Sequence, residues 1–411
     1  MGDMQAGIFQ DAIQVTIDLH WIQSNYLQLA ARGKRIIPVI KADAYGHGLL
    51  PVAETLVKAG AGELAVGSVG EAVLLRETFD GRIVSLLGPL ENPDFSAVIE
   101  YGILPLVYNF DQLRRLNECA RNDGKVVFVA LKFDTGMNRL GFSGQEVPAV
   151  VSTLNDLNYI EAILLCSHLA TAEEPGSKDF TLEQAANLCR IGGELKQAGL
   201  KLQYSLANSA ATLAFPELHF DAQRPGIALY GANPFAENSW KDKGTGLIPS
   251  MEVTAPVIDV HRLKKGEFIS YGRKFHAPRD MRVAIVASGY ADLYSRGLSN
   301  KGEMLLHGSR APVIGQVCMQ LTAIDISHIP QAGAGDRAYL LGGSEPNSIK
   351  PEELARWWGT IPNEVFCAFG RNKRKYVDGD ISIKSRTRYY QCRGLGRLPF
   401  RKLCLAKSSM T

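Results

Sequence analysis

Residues 36–48 read IIPVIKADAYGHG. An apolar run closes on a lysine and breaks into a glycine-punctuated turn, and apolar residues then recur at helical spacing from Leu49 to Ala59. The same order of buried strand, turn and helix returns along the chain. Further apolar runs occur at 64–68 (LAVGS), 82–87 (RIVSLL), 103–108 (ILPLVY), 126–132 (VVFVALK), 160–166 (IEAILLC), 202–206 (LQYSL) and 224–229 (RPGIAL). Near-continuous apolar strands alternating with helices are the pattern of a parallel sheet covered on both faces. Eight such units in about 200 residues fit a closed (β/α)8 TIM-type barrel better than an open doubly wound sheet.

Beyond the eighth unit, ANPFAENSWKDKGTGLIPS (232–250) is polar and rich in Gly and Pro, as a linker would be. Downstream, short alternating strands take over, from MEVTAPVIDVHRL to DRAYLLGG, and predict a mainly β second domain. The fold class expected is therefore α/β, an N-terminal barrel followed by a C-terminal β domain. The division expected is a barrel over 12–245, a β domain over 246–380 to which residues 1–15 can also belong, and a basic tail over 381–411. The extended AIQVTIDL (12–19) can pair in either domain.

Composition narrows the class. The 411 residues are 46% hydrophobic, 21% charged and 8% aromatic, an ordinary globular balance. No apolar run reaches the roughly 18 to 20 residues that span a bilayer, and the N-terminal stretch lacks a basic then apolar export pattern, so a cytoplasmic location and no membrane partner are expected. The net charge of +3 hides an asymmetry: up to Asp380 there are 37 basic and 42 acidic residues, net −5, whereas eight basic residues follow from Lys384. A body of that charge gives no reason to expect a nucleic-acid partner, and the tail reads as a solvated appendage. Cys119, Cys166, Cys189, Cys318, Cys367, Cys392 and Cys404 form no CxxC pair, so free thiols are expected, with neither a disulfide frame nor a metal site.

Lys41 is the first candidate for chemistry. A lysine that closes a buried strand loses hydration, and its basicity falls. The C-terminal end of a barrel strand is where active sites are built, and a neutral amine is what a Schiff-base lysine requires. A surface lysine whose stem snorkels over apolar neighbours is the competing reading.

Other segments tilt the balance. VIKADAYGHG (39–48), KFDTGMNRLG (132–141), CSHLATAEEP (166–175), ANSAAT (207–212), RPGIALYG (224–231), SYGR (270–273), GYAD (289–292) and GQVCMQ (315–320) occur in a series that resembles the alanine racemase family from about residue 12 to 377. The resemblance implies an amino-acid racemase, an isomerase interconverting L- and D-alanine with pyridoxal 5′-phosphate and supplying D-alanine for cell-wall peptidoglycan. A serine, lysine or broad-specificity racemase is the alternative. It also implies a homodimer with shared active sites.

Residue by residue, the resemblance makes Lys41 and Tyr271 the catalytic pair, with Tyr271 contributed by the partner subunit. A tyrosine near pKa 10 is a poor base unless its surroundings favour phenolate, and His168 with nearby cations is the candidate for that task. Cofactor contacts are implied for Lys41, Tyr45, His168, Asn208, Ser209, Arg224, Gly226, Ile227 and Tyr376. Arg224, always protonated, would face the pyridine nitrogen and weaken the electron sink. Arg139 and Met319 would bind the substrate carboxylate, and Lys132 matches a position that is often carbamylated. The chain departs from the family pattern at Gln320, where Asp is usual, at Leu293, and at Asn372 and Lys373 ahead of Tyr376.

Overall fold

The computed structural model describes residues 12–33 and 35–378. The expected tail and the residues before 12 lie outside these. Strand β1 (Gln14–Asp18) is followed by eight parallel strands: β2 (Arg35–Ile36), β3 (Glu63–Val66), β4 (Arg82–Ser85), β5 (Leu104–Val107), β6 (Val127–Lys132), β7 (Ile160–Cys166), β8 (Gln203–Ser205) and β9 (Ala222–Gln223). Hydrogen bonding links them in the order β2-β9-β8-β7-β6-β5-β4-β3. The ring closes just past β2. There Val39 bridges Ala65 in parallel, with Ile40 N donating to Ala65 O at 2.7 Å and Ala65 N to Pro38 O at 2.8 Å. Closure removes both sheet edges, so the doubly wound alternative falls and the barrel stands.

Two runs expected as strands are shorter than their apolar content suggests. IIPVIK contributes only Ile36 to the two-residue strand Arg35–Ile36 ahead of Pro38, which has no N–H to donate, and Lys41 already begins a turn. In RPGIAL the strand ends before Arg224, because Pro225 again lacks the donor; Ile227–Tyr230 then coil into a 3-10 helix. The eighth unit is thus strand Ala222–Gln223 and a single helical turn.

The second sheet comprises β10 (Met251–Leu263), β13 (Met281–Val286), β14 (Glu303–Leu306), β15 (Ser309–Ile314), β16 (Thr322–Asp325), β17 (Arg337–Leu341) and β18 (Arg374–Val377), joined by β1. A separate two-stranded ribbon, β11 (Phe268–Ile269) with β12 (Phe275–His276), projects from it. Strand β10 carries a register shift between Val257 and Asp259 and pairs with both β17 and β13, which bends this sheet closed. The pairing of β1 settles its position: it lies antiparallel to β10 and parallel to β18, inside the β sheet. Helices Pro351–Trp358 and Pro362–Phe369 pack on each other, the first paired to the sheet through Glu353 and Arg310 and the second against the turn after Lys41, and neither is expected from the sequence. Among the described residues no helix is long and apolar enough to cross a membrane.

One buried side chain fastens the chain where it leaves the barrel. Asn25 donates to Leu229 O (3.1 Å) and Ile248 O (2.9 Å) and accepts from Ile248 N (2.9 Å). Replacing it by Leu strands an amide and two carbonyls without water, which costs about 3 kcal/mol or more. Urea unfolding of Asn25→Leu against wild type measures this, and a midpoint unchanged from wild type would refute the fastening.

Candidate active site

Lys41 leaves the barrel at its C-terminal mouth and is followed by an uncommon backbone. Ala42, Asp43 and Ala44 each have φ of 54°, and Tyr45 has 53°. Four consecutive non-glycine residues in the left-handed region cost about 1 kcal/mol or more apiece, so other contacts must enforce the turn. Asp43 Oδ1 accepts from Leu49 N (2.7 Å), and Asp43 N donates to Glu71 Oε1 (3.1 Å). Glu71 also accepts from Gly67 N (2.8 Å) while completing a capping box with Ser68, which fixes it in place. His47, wholly buried, stacks on Tyr230 with ring centroids 4.5 Å apart, and its Nδ1 meets Ala44 O and Tyr45 O at 3.2 and 3.1 Å. Those two carbonyls require Nδ1 to carry the proton.

The same mouth opens into a cleft of about 1290 Å³ lined by Lys41, Tyr45, Lys132, Arg139, His168, Asn208, Ser209, Arg224, Gly226 and Ile227. Ten of the thirteen site residues expected from the sequence therefore share one surface. Around Ser209, the amides of Gly226 (2.9 Å) and Ala228 (3.2 Å) point at the hydroxyl. A Cβ on Gly226 would stand 2.3 Å from the Tyr45 hydroxyl oxygen, so only glycine lets the two meet. Hydroxyls and amides gathered this way make a small anion cradle. Asn208 lines the cleft while its side-chain oxygen caps the helix Ser209–Ala214 through Ala211 N (3.0 Å).

Arg224 is buried and anchored from three sides. It donates to the Ser205 hydroxyl, to Ser167 O (2.5 Å) and, weakly, to Cys166 Sγ (3.8 Å). Lys132, also buried, is pushed down to about 8 by burial and then by Arg224. Lys41 is lowered by burial first and by Arg139 second. His168 is held well below the usual imidazole range by burial, then by Arg224, Lys132, Arg139 and Lys41. It stays neutral, so the positive charge that would favour a phenolate comes from the lysines and arginines and not from His168.

Three expected residues lie off this cleft. Tyr271 is 70% exposed at the tip of the β11/β12 ribbon, whose Ile269 and Phe275 pack on a small separate core of Leu263, Met281, Val283 and Ile314. Met319 is 58% exposed. The two are tied together: Ser270 donates to Gln316 O at 2.6 Å, so SYGR and GQVCMQ present one face. Tyr290, half-exposed, joins that face through its N–H to Cys318 O (3.0 Å); as a single aromatic in GYAD it gave no separate signal in the sequence. Tyr376 is the third. Alternation along β18 turns it inward, as buried as Tyr45, with its hydroxyl against Gly48 in the turn that follows Lys41. Glu71 was also missed, because a capping-box glutamate looks structural in any sequence.

A closed barrel whose C-terminal mouth gathers amines, guanidiniums and an anion cradle has the build of a barrel enzyme. Family comparison then gives the particular identity. Residues 17–234 match the alanine racemase N-terminal domain and residues 250–377 the alanine racemase C-terminal domain. An alanine racemase of Nitratidesulfovibrio vulgaris (strain DSM 19637 / Miyazaki F) is 50% identical over 370 residues, spanning 90% of this chain and 99% of that one. Among solved structures, the alanine racemase of D-cycloserine-producing Streptomyces lavendulae superposes with a TM-score of 0.84 at 30% identity, covering 90% of this chain and 98% of that one. The Bartonella henselae enzyme, with covalently bound pyridoxal phosphate, gives 0.79 at 28% identity, covering 90% and 100%. The chain belongs to the alanine racemase family and is an amino-acid isomerase.

His47 supplies a test of the strained turn. Burial pushes its pKa down to about 3, against 6.5 when unfolded. Between those values the unfolded chain binds the extra proton, so stability falls as pH falls. From pH 6.5 to about pH 4.5 the loss is about 2.3 kcal/mol. Urea unfolding across that range is expected to show His47→Asn falling less steeply than wild type by this amount; parallel slopes would refute it.

Proposed function

We propose that the chain racemises alanine with pyridoxal 5′-phosphate attached at Lys41, in a homodimer whose two active sites each combine one cleft with the partner's β domain. The observation that carries this reading is the split between halves. Lys41, the cations and the anion cradle share a cleft, while Tyr271 and Met319 stand exposed on another face of the same chain. The residues present suit the cofactor. A phosphate fits the cradle of Tyr45, Ser209, Gly226 and Ile227, and the anchored Arg224 guanidinium can only donate, as an unprotonated pyridine nitrogen requires.

When bound, pyridoxal phosphate supplies an electron sink that acidifies the substrate α-hydrogen. Arg224 keeps that sink weak. Arg139, exposed in the cleft, orients the substrate carboxylate and lowers the basicity of Lys41, whose amine then exchanges a proton on one face. Tyr271 of the partner subunit takes or returns the proton on the opposite face, and Met319 of the partner subunit closes the carboxylate site with its main-chain amide. Lys132, at about 8, keeps a neutral fraction that can add carbon dioxide, releasing a proton and leaving a carbamate beside Arg139. Such an anion would relieve the repulsion among the cations. Alanine is favoured over serine or lysine because the relatives that match nearly the whole chain are alanine racemases. D-alanine for peptidoglycan is the use this reading implies.

Subunit mixing tests it. Lys41→Ala and Tyr271→Phe homodimers are each expected to be inactive, while an exchanged mixture recovers about a quarter of wild-type activity, since half the dimers then hold one intact site. Racemisation is followed by circular dichroism of alanine, with subunit exchange confirmed by native mass spectrometry. No recovery after exchange would overturn the shared site.

A further inference from the structure

We propose that Arg374 is a positioning residue for Lys41: from the β domain of the same chain it clamps the left-handed turn Ala42–Tyr45 and thereby fixes where the Lys41 amine stands. The inference rests on Lys41 being the cofactor-bearing residue.

Three observations carry it. First, the turn is strained at four consecutive residues, so it depends on restraints from outside itself. Second, the Arg374 guanidinium spans the turn. Nη1 bonds the Asp43 carboxylate near its start and Gly46 O (2.9 Å) just past its end, with the arginine side chain only 6% exposed. The arginine end is shielded while the Asp43 side chain is 50% exposed, so the charge-assisted pair is reinforced by the buried bond to Gly46 O. Third, the clamp comes from a rigid element. Arg374 opens β18, which pairs with β1, and β1 in turn pairs with β10. Helix Pro362–Phe369 closes the other side so tightly that a Cβ on Gly46 would fall 2.4 Å from Phe366 O. Lys41 is thus bracketed between two fixed points, the Ile40–Ala65 bond that closes the barrel and the Arg374–Asp43 pair. Loosening the second bracket lets the amine drift, and a displacement of about 1 Å costs up to about a hundredfold in rate.

The test follows attachment and not turnover. Full-length chain stripped of cofactor is mixed with pyridoxal 5′-phosphate, quenched with borohydride at intervals, and the labelled peptide is located by mass spectrometry. Wild type is expected to label at Lys41. Arg374→Ala is expected to label there roughly tenfold to a hundredfold more slowly, with partial recovery on adding guanidinium ion. Asp43→Asn should slow labelling similarly, and the double variant no more than the worse single one, the mark of two residues acting as one contact. Should Arg374→Ala fail to fold, Arg374→Lys, which keeps the charge but loses the planar fork, takes its place with the same expectation. Wild-type labelling rates in the folded variants, or slowing that guanidinium does not relieve and that adds to Asp43→Asn, would overturn the clamp. Wild type labelling elsewhere than Lys41 would instead sink the reading of Lys41.

Discussion

Four cationic side chains, Lys41, Lys132, Arg139 and Arg224, converge on neutral His168 at the mouth of an apolar barrel, and their mutual repulsion is the constraint around which the rest is built. Lys132 and Arg224 are buried, so the repulsion between those two is weakly screened, while Lys41 and Arg139 face the open cleft. Such a site is unfavourable on its own and becomes favourable when it receives anions, which is what a phosphate and a carboxylate supply. Burial first, and this repulsion second, lowers the basicity of both lysines, bringing Lys132 down to about 8.

Holding like charges together requires a scaffold that does not yield. The parallel strands are buried along nearly their whole length, with β5 buried at every position, and the ring has no open edge. Arg224 keeps its place because Ser205, Ser167 and Cys166 are strand and strand-end residues, not loop residues. The turn after Lys41 is held by contacts that reach it from the barrel through Glu71 and from the second sheet through Arg374. Both domains therefore contribute to the position of a single amine.

The barrel was legible because burial writes itself into composition: a strand covered on both faces must be apolar, and IEAILLC or VVFVALK have few other uses. The cleft residues were legible because they sit at strand ends, where position along the repeat predicts exposure to the barrel mouth. What could not be read was geometry set by backbone donors and by distant partners. Pro38 and Pro225 shorten strands that hydrophobicity alone extends. The left-handed turn has no glycine until Gly46, so ADAY carries no sign of it. Arg374 and Tyr376 are two residues apart on one strand, and only pairing with β1 decides what each of them meets.

The separation of Tyr271 from Lys41 follows from the same physics. A phenol built into the cleft of its own chain would occupy space that the proposed substrate needs, whereas Tyr271 stands 70% exposed on the ribbon. Mounted on a ribbon with its own small core, and tied to Met319 through Ser270, it forms instead a preassembled second half that can approach as a unit. In the proposed dimer, two such chains related by a twofold axis would complete both clefts at once, since each would offer the half that the other lacks. On that proposal, cations and phenol would meet only when the site is assembled.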